Sequence, residues 1–141
     1  MARYAIGDIH GCAATLDHLM EKIGPSTEDS LFLLGDLIDR GPDSKGVFDL
    51  VFQWMEEGLD VKCLRGNHED MMLKGIKDPE FDLPNWLFWG GSETIQSFEV
   101  THPANIPKQY MNFIKSLDYY HDLPDFVLVH ASLNLDIEDY R

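Results

Sequence analysis

Apolar and polar positions follow two periods in turn along the first half of this chain. Residues 3–6, Arg-Tyr-Ala-Ile, form a short extended run that ends at Gly7. From residue 12 to residue 23, Leu16, Leu19, Met20 and Ile23 recur at helical spacing, and Gly24-Pro25 stops the helix. Residues 30–34, Ser-Leu-Phe-Leu-Leu, are a nearly continuous apolar run, the pattern of a strand covered on both faces. A second helix is predicted from Ser44, as its N-cap, to about Glu57. Val47, Leu50, Val51 and Trp54 share its inner face, and Gly58 ends it. A third strand spans 59–64, and a short helix follows through Met71, Met72 and Ile76.

The second half is less regular. Residues 77–86 read as a loop from their Pro and Asp content. Residues 92–98 are helical in pattern after Gly90-Gly91, and 107–117 form a helix with Pro107 at its first turn. Residues 119–133 hold two extended segments around Pro124-Asp125, the second running into His130. The early order of strand, helix, strand, helix, strand, helix implies a layered α/β domain around a largely buried parallel sheet. The 141 residues suit one domain, residues 1–141.

Charge narrows the function. The chain carries 25 acidic and 11 basic residues, a formal net charge of −14. Such a field repels nucleic acid and anionic membrane, so neither is expected as a partner. An anionic substrate would need local positive charge, from an arginine or from bound cations. No apolar run approaches the ~18 residues of a membrane span, and the N-terminus lacks a signal-type apolar stretch. A cytoplasmic protein is the expectation. Cys12 and Cys63 make neither a disulfide framework nor a CxxC pattern, and are expected as small buried side chains.

Three predicted strands run into a glycine followed by residues that ligate metals. Asp8 and His10 follow the first strand, Asp36 the second, and Asn67 and His68 the third; His130 follows a fourth apolar run. The carboxyl ends of strands in an open α/β sheet line one crevice, so these clusters should meet there. Asp, Asn and His together suit Mn²⁺, Fe or Zn²⁺ better than Ca²⁺. The stretch GDLIDRGPDS, residues 35–44, sets Arg40 among Asp36, Asp39 and Asp43, and a guanidinium fork matches a phosphate. Taken singly, each histidine would be an ordinary surface or core group. His18, His102 and His121 belong to no motif and are read as structural. Trp86 and Trp89 are read as packing residues, with a substrate groove as the other use.

The motifs GDIHG, GDLIDRG, GNHE and VHA, in that order over residues 7–131, resemble the signatures of the calcineurin-like metallophosphoesterases. They look most like the serine/threonine phosphatase branch of bacteria and phages, towards which GNHE and the Trp-Gly-Gly segment lean. The resemblance implies an α-β-β-α sandwich and two divalent metal ions, Mn²⁺ foremost, with Fe or Zn²⁺ as alternatives. It implies Asp8 and His10 on one metal, Asp36 bridging both, and Asn67 and His130 on the other. His68 would protonate the leaving group, oriented by Asp39, and Arg40 would hold phosphate. Asp43 is expected only to begin the second helix. The implied reaction is phosphomonoester hydrolysis by metal-bound hydroxide, on a phosphoprotein or a small phosphoester. Hydrolysis of dinucleoside polyphosphates is the alternative within enzymes. A weakly active or inactive metal- or phosphate-binding module is the alternative outside them.

The family pattern continues beyond VHA with a further phosphate-gripping Arg and a Gly-His motif. This sequence has no histidine after His130, and Arg141 follows it too closely to serve as that arginine. Ser132 stands where the family commonly has Gly. The sandwich is therefore expected to be incomplete at its C-terminal end. A fragment of a longer phosphatase, a naturally short relative and a chain completed by a second copy all fit, the last through an exposed sheet edge.

Overall fold

The structure, a computed structural model, describes residues 1–132. Its first half alternates as expected: β1 (Arg3–Ile6), α1 (Ala13–Ile23), β2 (Ser30–Leu33), α2 (Ser44–Glu56), β3 (Asp60–Cys63) and α3 (Asn67–Lys77). The three strands form one parallel sheet in the order β1-β2-β3. Arg3 is in register with Ser30, and Ser30 with Asp60. The strands end level with one another, so their exit loops lie side by side.

Burial follows the apolar pattern in the centre and departs from it at the edge. In β2, Leu31, Phe32 and Leu33 are all buried. In β1, by contrast, Arg3 and Ala5 are exposed and Tyr4 and Ile6 half-buried. Among the described residues β1 pairs only with β2, so the sheet is not buried throughout. Leu19, assigned above to the inner face of α1, is also exposed.

Against the sheet, α2 packs Val47, Phe48 and Val51, none of them exposed. An aromatic cluster of Phe48, Phe52, Phe98, Tyr110 and Phe113 joins α2 to the later helices, with ring centroids 5.0 to 6.3 Å apart. Such ring pairs add to the area they bury. The start of α2 differs from expectation by one residue. Asp43 is the N-cap, accepting the Gly46 N–H at 2.8 Å, and the Ser44 side chain turns inward instead.

The stretch read as a loop, 77–86, contains the short helix α4 (Asp82–Trp86). A π turn (Leu87–Gly91) then leads to α5 (Ser92–Ser97). Pro84 misled the reading, because proline is tolerated in a helix's first turn. A 3₁₀ turn (Pro103–Asn105) and α6 (Lys108–Ser116) follow. β4 (Tyr120–Asp122) and β5 (Val127–Val129) close an antiparallel hairpin as expected. This hairpin makes a second sheet beside the first. The ring of His121 lies edge-on to Phe32 of β2, with centroids 5.9 Å apart, and Arg3 of β1 reaches Asp125 at 3.6 Å. Arg141 lies outside the described residues. Among the described residues, no helix is long and apolar enough to cross a membrane.

Candidate metal and phosphate site

The exits of β1, β2, β3 and β5 converge, and Asp36 stands at the centre. Its Oδ2 lies 3.7 Å from Nε2 of His10. Its Oδ1 lies 3.4 Å from Nε2 of His130 and accepts the backbone N–H of His68 at 3.0 Å. Asp8 reaches His10 Nε2 at 4.0 Å, and Asn67 Oδ1 lies 3.0 Å from His130 Nε2. Donor atoms of His10, Asp36 and His68 fall within 4.8 Å of one another, and so do those of Asp8, Asp36 and His130.

The two histidines are oriented as metal ligands are. His10 Nδ1 lies 2.9 Å from the Ile38 carbonyl, and His130 Nδ1 lies 2.8 Å from that of Leu34. A carbonyl only accepts, so each Nδ1 carries the proton and each Nε2 turns its lone pair to the cluster. Arg40 Nη1 donates to the His10 lone pair at 3.1 Å, which places a cationic fork beside the carboxylates. A central carboxylate with one oxygen towards each of two imidazole lone pairs fits a pair of divalent cations.

Asp39 is fully buried, and its Oδ2 accepts Nδ1–H of His68 at 2.7 Å. Burial works to pull the His68 pKa down. The hydrogen bond and charge of Asp39, with the charge of Asp36, outweigh it and leave His68 above its ordinary value. Nε2 of His68 is then the ring atom left to exchange a proton.

Three features of this site were not read from the sequence. The first is Glu69, fully buried, whose oxygens accept four backbone N–H groups. Asp36 (3.0 Å) and Gly66 (2.8 Å) donate to Oε2, and Leu37 (2.8 Å) and Ile38 (3.3 Å) to Oε1. Burial pushes the Glu69 carboxyl up to about 7; the Gly66 N–H opposes this, the charge of Asp36 adds to it, and the Leu37 and Ile38 N–H groups oppose it. The second is backbone conformation. His10, Asp36, Asp39 and Arg40 all have positive φ, at 46°, 51°, 72° and 66°. Such strain in non-glycine residues persists only where surrounding contacts enforce it. The third is segment 86–94. Trp86 and Thr94 both donate to Asp39, and the Gly90 carbonyl accepts the Arg40 N–H at 3.0 Å. The E of GNHE and the T of SETIQS were visible, but nothing in their spacing marks what they bond.

Trp86 is buried, as a packing residue should be, whereas Trp89 and Phe88 are exposed. Cys63 is buried, but Cys12 is exposed, contrary to expectation, because it precedes α1 at the rim of the site. His18 pairs with Glu21 on the surface at 3.3 Å. His102 Nδ1 caps the 3₁₀ turn by accepting the Ala104 N–H at 3.1 Å. His121 packs between the two sheets. None of the three reaches the site.

Fold and site together have the form of a metallophosphoesterase domain. Residues 1–140 match the family model described as calcineurin-like phosphoesterase, and the chain belongs to that family. It is 32% identical over 137 residues to the symmetrical bis(5'-nucleosyl)-tetraphosphatase of Nitrosomonas europaea, covering 94% of this chain and 45% of that protein. It is 30% identical over 147 residues to the asymmetrical bis(5'-nucleosyl)-tetraphosphatase of Bacillus velezensis, covering 96% of this chain and 58% of that one. The serine/threonine-protein phosphatase 1 of Salmonella typhimurium is 41% identical over 90 residues, or 62% of this chain and 38% of that protein. A crystal structure proposed to be a diadenosine tetraphosphatase shares the fold, with a TM-score of 0.66 and 24% identity, over 94% of this chain and 55% of that one. The chain spans about half the length of the curated relatives it matches.

Proposed function

We propose that this chain carries the metal and acid half of a dinucleoside polyphosphate hydrolase. The carrying observation is Asp36, whose two oxygens each face an imidazole lone pair beside the Arg40 fork. The substrate class is supported by relatives, named as dinucleoside tetraphosphatases, that align over nearly the whole chain. They favour this substrate over the phosphoprotein towards which the sequence motifs lean.

Asp8 and His10 would hold one divalent cation and Asn67 and His130 another, with Asp36 available to both; Mn²⁺ is the first ion to test, then Fe and Zn²⁺. Bound there, such ions polarise phosphoryl oxygens and acidify water. Arg40 holds the phosphate by two parallel N–H bonds. Water would add to phosphorus and lose a proton to solvent; the bond to the leaving oxygen would break, that oxygen would take the proton from His68 Nε2, and solvent would return a proton to His68. Asp39 keeps the imidazole in the tautomer and orientation that allow this.

A phosphoprotein remains the second reading, for one structural reason. A serine alkoxide needs a proton more than a departing nucleotide phosphate does, and the buried Asp39–His68 pair supplies a well-held one. The purified chain, with Mn²⁺, should be offered diadenosine tetraphosphate and a phosphoserine peptide, with Asp36→Asn as the control. Dinucleotide turnover lost in the variant supports the proposal, and preference for the peptide overturns it in favour of the second reading. One ion per chain without turnover of either would make this chain a binding module.

A further inference from the structure

Asp39 is gripped on every polar atom. Its Oδ2 accepts the Trp86 indole N–H at 2.7 Å as well as the His68 N–H, and its Oδ1 accepts the Thr94 hydroxyl at 2.7 Å. The Thr94 oxygen accepts the Asp39 backbone N–H at 2.9 Å in return. Thr94 has one proton, already given to Asp39, so in the 3.0 Å contact with Ser44 the Ser44 hydroxyl donates. Trp86, Thr94, Ser44 and Asp39 are all buried.

This grip has a reason. Asp39 sits at a φ of 72°, so its backbone does not place the carboxylate unaided. Trp86 ends α4 and Thr94 lies in α5, and the chain between them bends at Gly90, whose φ of 110° lets both side chains face Asp39. A Cβ on Gly90 would meet Arg40 N and Cγ at 2.7 Å, so the bend seats directly against the arginine. The indole N–H only donates and the hydroxyl gives its single proton, so both partners fit an accepting carboxylate.

We propose that Trp86 and Thr94 are positioning residues that fix Asp39, and through it aim Nε2 of His68 at the leaving-group oxygen. The inference rests on the hydrolase reading above. Neither residue touches the reacting atoms. Their effect should therefore scale with how much the leaving group needs a proton.

Thr94→Val removes a donor at nearly constant volume, and Trp86→Phe removes the indole N–H while leaving a void in the core. With Mn²⁺, each should lower kcat for an alkyl phosphomonoester by about tenfold or more, while 2,4-dinitrophenyl phosphate, which leaves without help, changes less than about threefold. His68→Asn should show the same selectivity, and Thr94→Ser should restore the Thr94→Val loss. Equal losses on both esters, or loss of Mn²⁺ binding, would overturn the proposal. The hydrolase reading stands or falls separately, on turnover of diadenosine tetraphosphate; if the wild-type chain turns over neither ester, the clamp is decided by imidazole ¹⁵N NMR of the metal-free chain. The His68 ring proton should exchange about tenfold faster in Thr94→Val than in wild type, and unchanged exchange would overturn the proposal. Thr94→Val carries both tests should Trp86→Phe fail to fold.

Discussion

Glu69 holds Asp36 by its backbone, accepting the Asp36 N–H at 3.0 Å across 33 positions of sequence. The carboxylate offered to metal is thus seated by a second, fully buried carboxylate that does not face the cluster. Every partner of Glu69 here is a donor. Glu69→Gln would turn an NH₂ towards two of those N–H groups and leave them unsatisfied. We expect a loss of about 2–4 kcal/mol in urea unfolding and at least about tenfold weaker Mn²⁺ binding. A change below about 0.5 kcal/mol would refute this account of the Asp36 turn.

The Asp39–His68 pair sets a pH dependence whose sign is fixed. The folded His68 pKa lies above 6.5. The folded state therefore holds a proton that the unfolded state releases once pH passes that value. The pair's stabilisation is full below pH 6.5 and is lost as pH rises through the folded value. In metal-free protein, the gap in urea midpoint between wild type and Asp39→Asn should be widest at mildly acidic pH and narrow on the alkaline side. A gap that widens with rising pH would contradict the pairing.

If Arg40 holds phosphate as proposed, it does so as a planar fork, a shape that lysine lacks. Arg40→Lys should raise the inhibition constant for inorganic phosphate by about tenfold or more, the worth of a charge-assisted pair of hydrogen bonds. Mn²⁺ stoichiometry should be unchanged. Full recovery by lysine would show that charge alone suffices.

Gly90→Ala tests the bend behind the arginine. Alanine at a φ of 110° is strained, and its Cβ would meet Arg40 backbone and Cγ atoms at 2.7 Å. A loss of about 1–3 kcal/mol in thermal or urea unfolding is expected. Phosphate binding should weaken with it, because the Gly90 carbonyl also holds the Arg40 N–H. Wild-type stability in this variant would mean that the bend is not required.

The parts of the molecule legible in advance were those with a short period or a fixed motif. Leu31, Leu33, Val47 and Val51 announce their burial by spacing alone, and Asp8, His10, Asp36, Asn67, His68 and His130 are brought together as their strand exits imply. The helix over Ser92–Ser97 was legible in its pattern, whereas α4 was obscured by Pro84, which read as a break although it permits a helix start. Glu69 and Thr94 were invisible as functional residues for another reason. Their partners are backbone N–H groups or a distant carboxylate, and such bonds leave no pattern in a single sequence. The left-handed residues escaped for a related cause, since Asp and His are enriched at positive φ without requiring it and Arg gives no sign of it.

Segment 86–94 has two sides that bear unequal constraint. On its inner side Trp86, Gly90 and Thr94 are committed to Asp39 and Arg40, and a change at any of them reaches one or the other. On its outer side Phe88 and Trp89 stand 82% and 49% exposed and rest on one another, edge to face. Those two side chains make none of the hydrogen bonds described for Asp39 and Arg40. Variation is therefore open to the outer face of this segment in a way that it is not to the inner one.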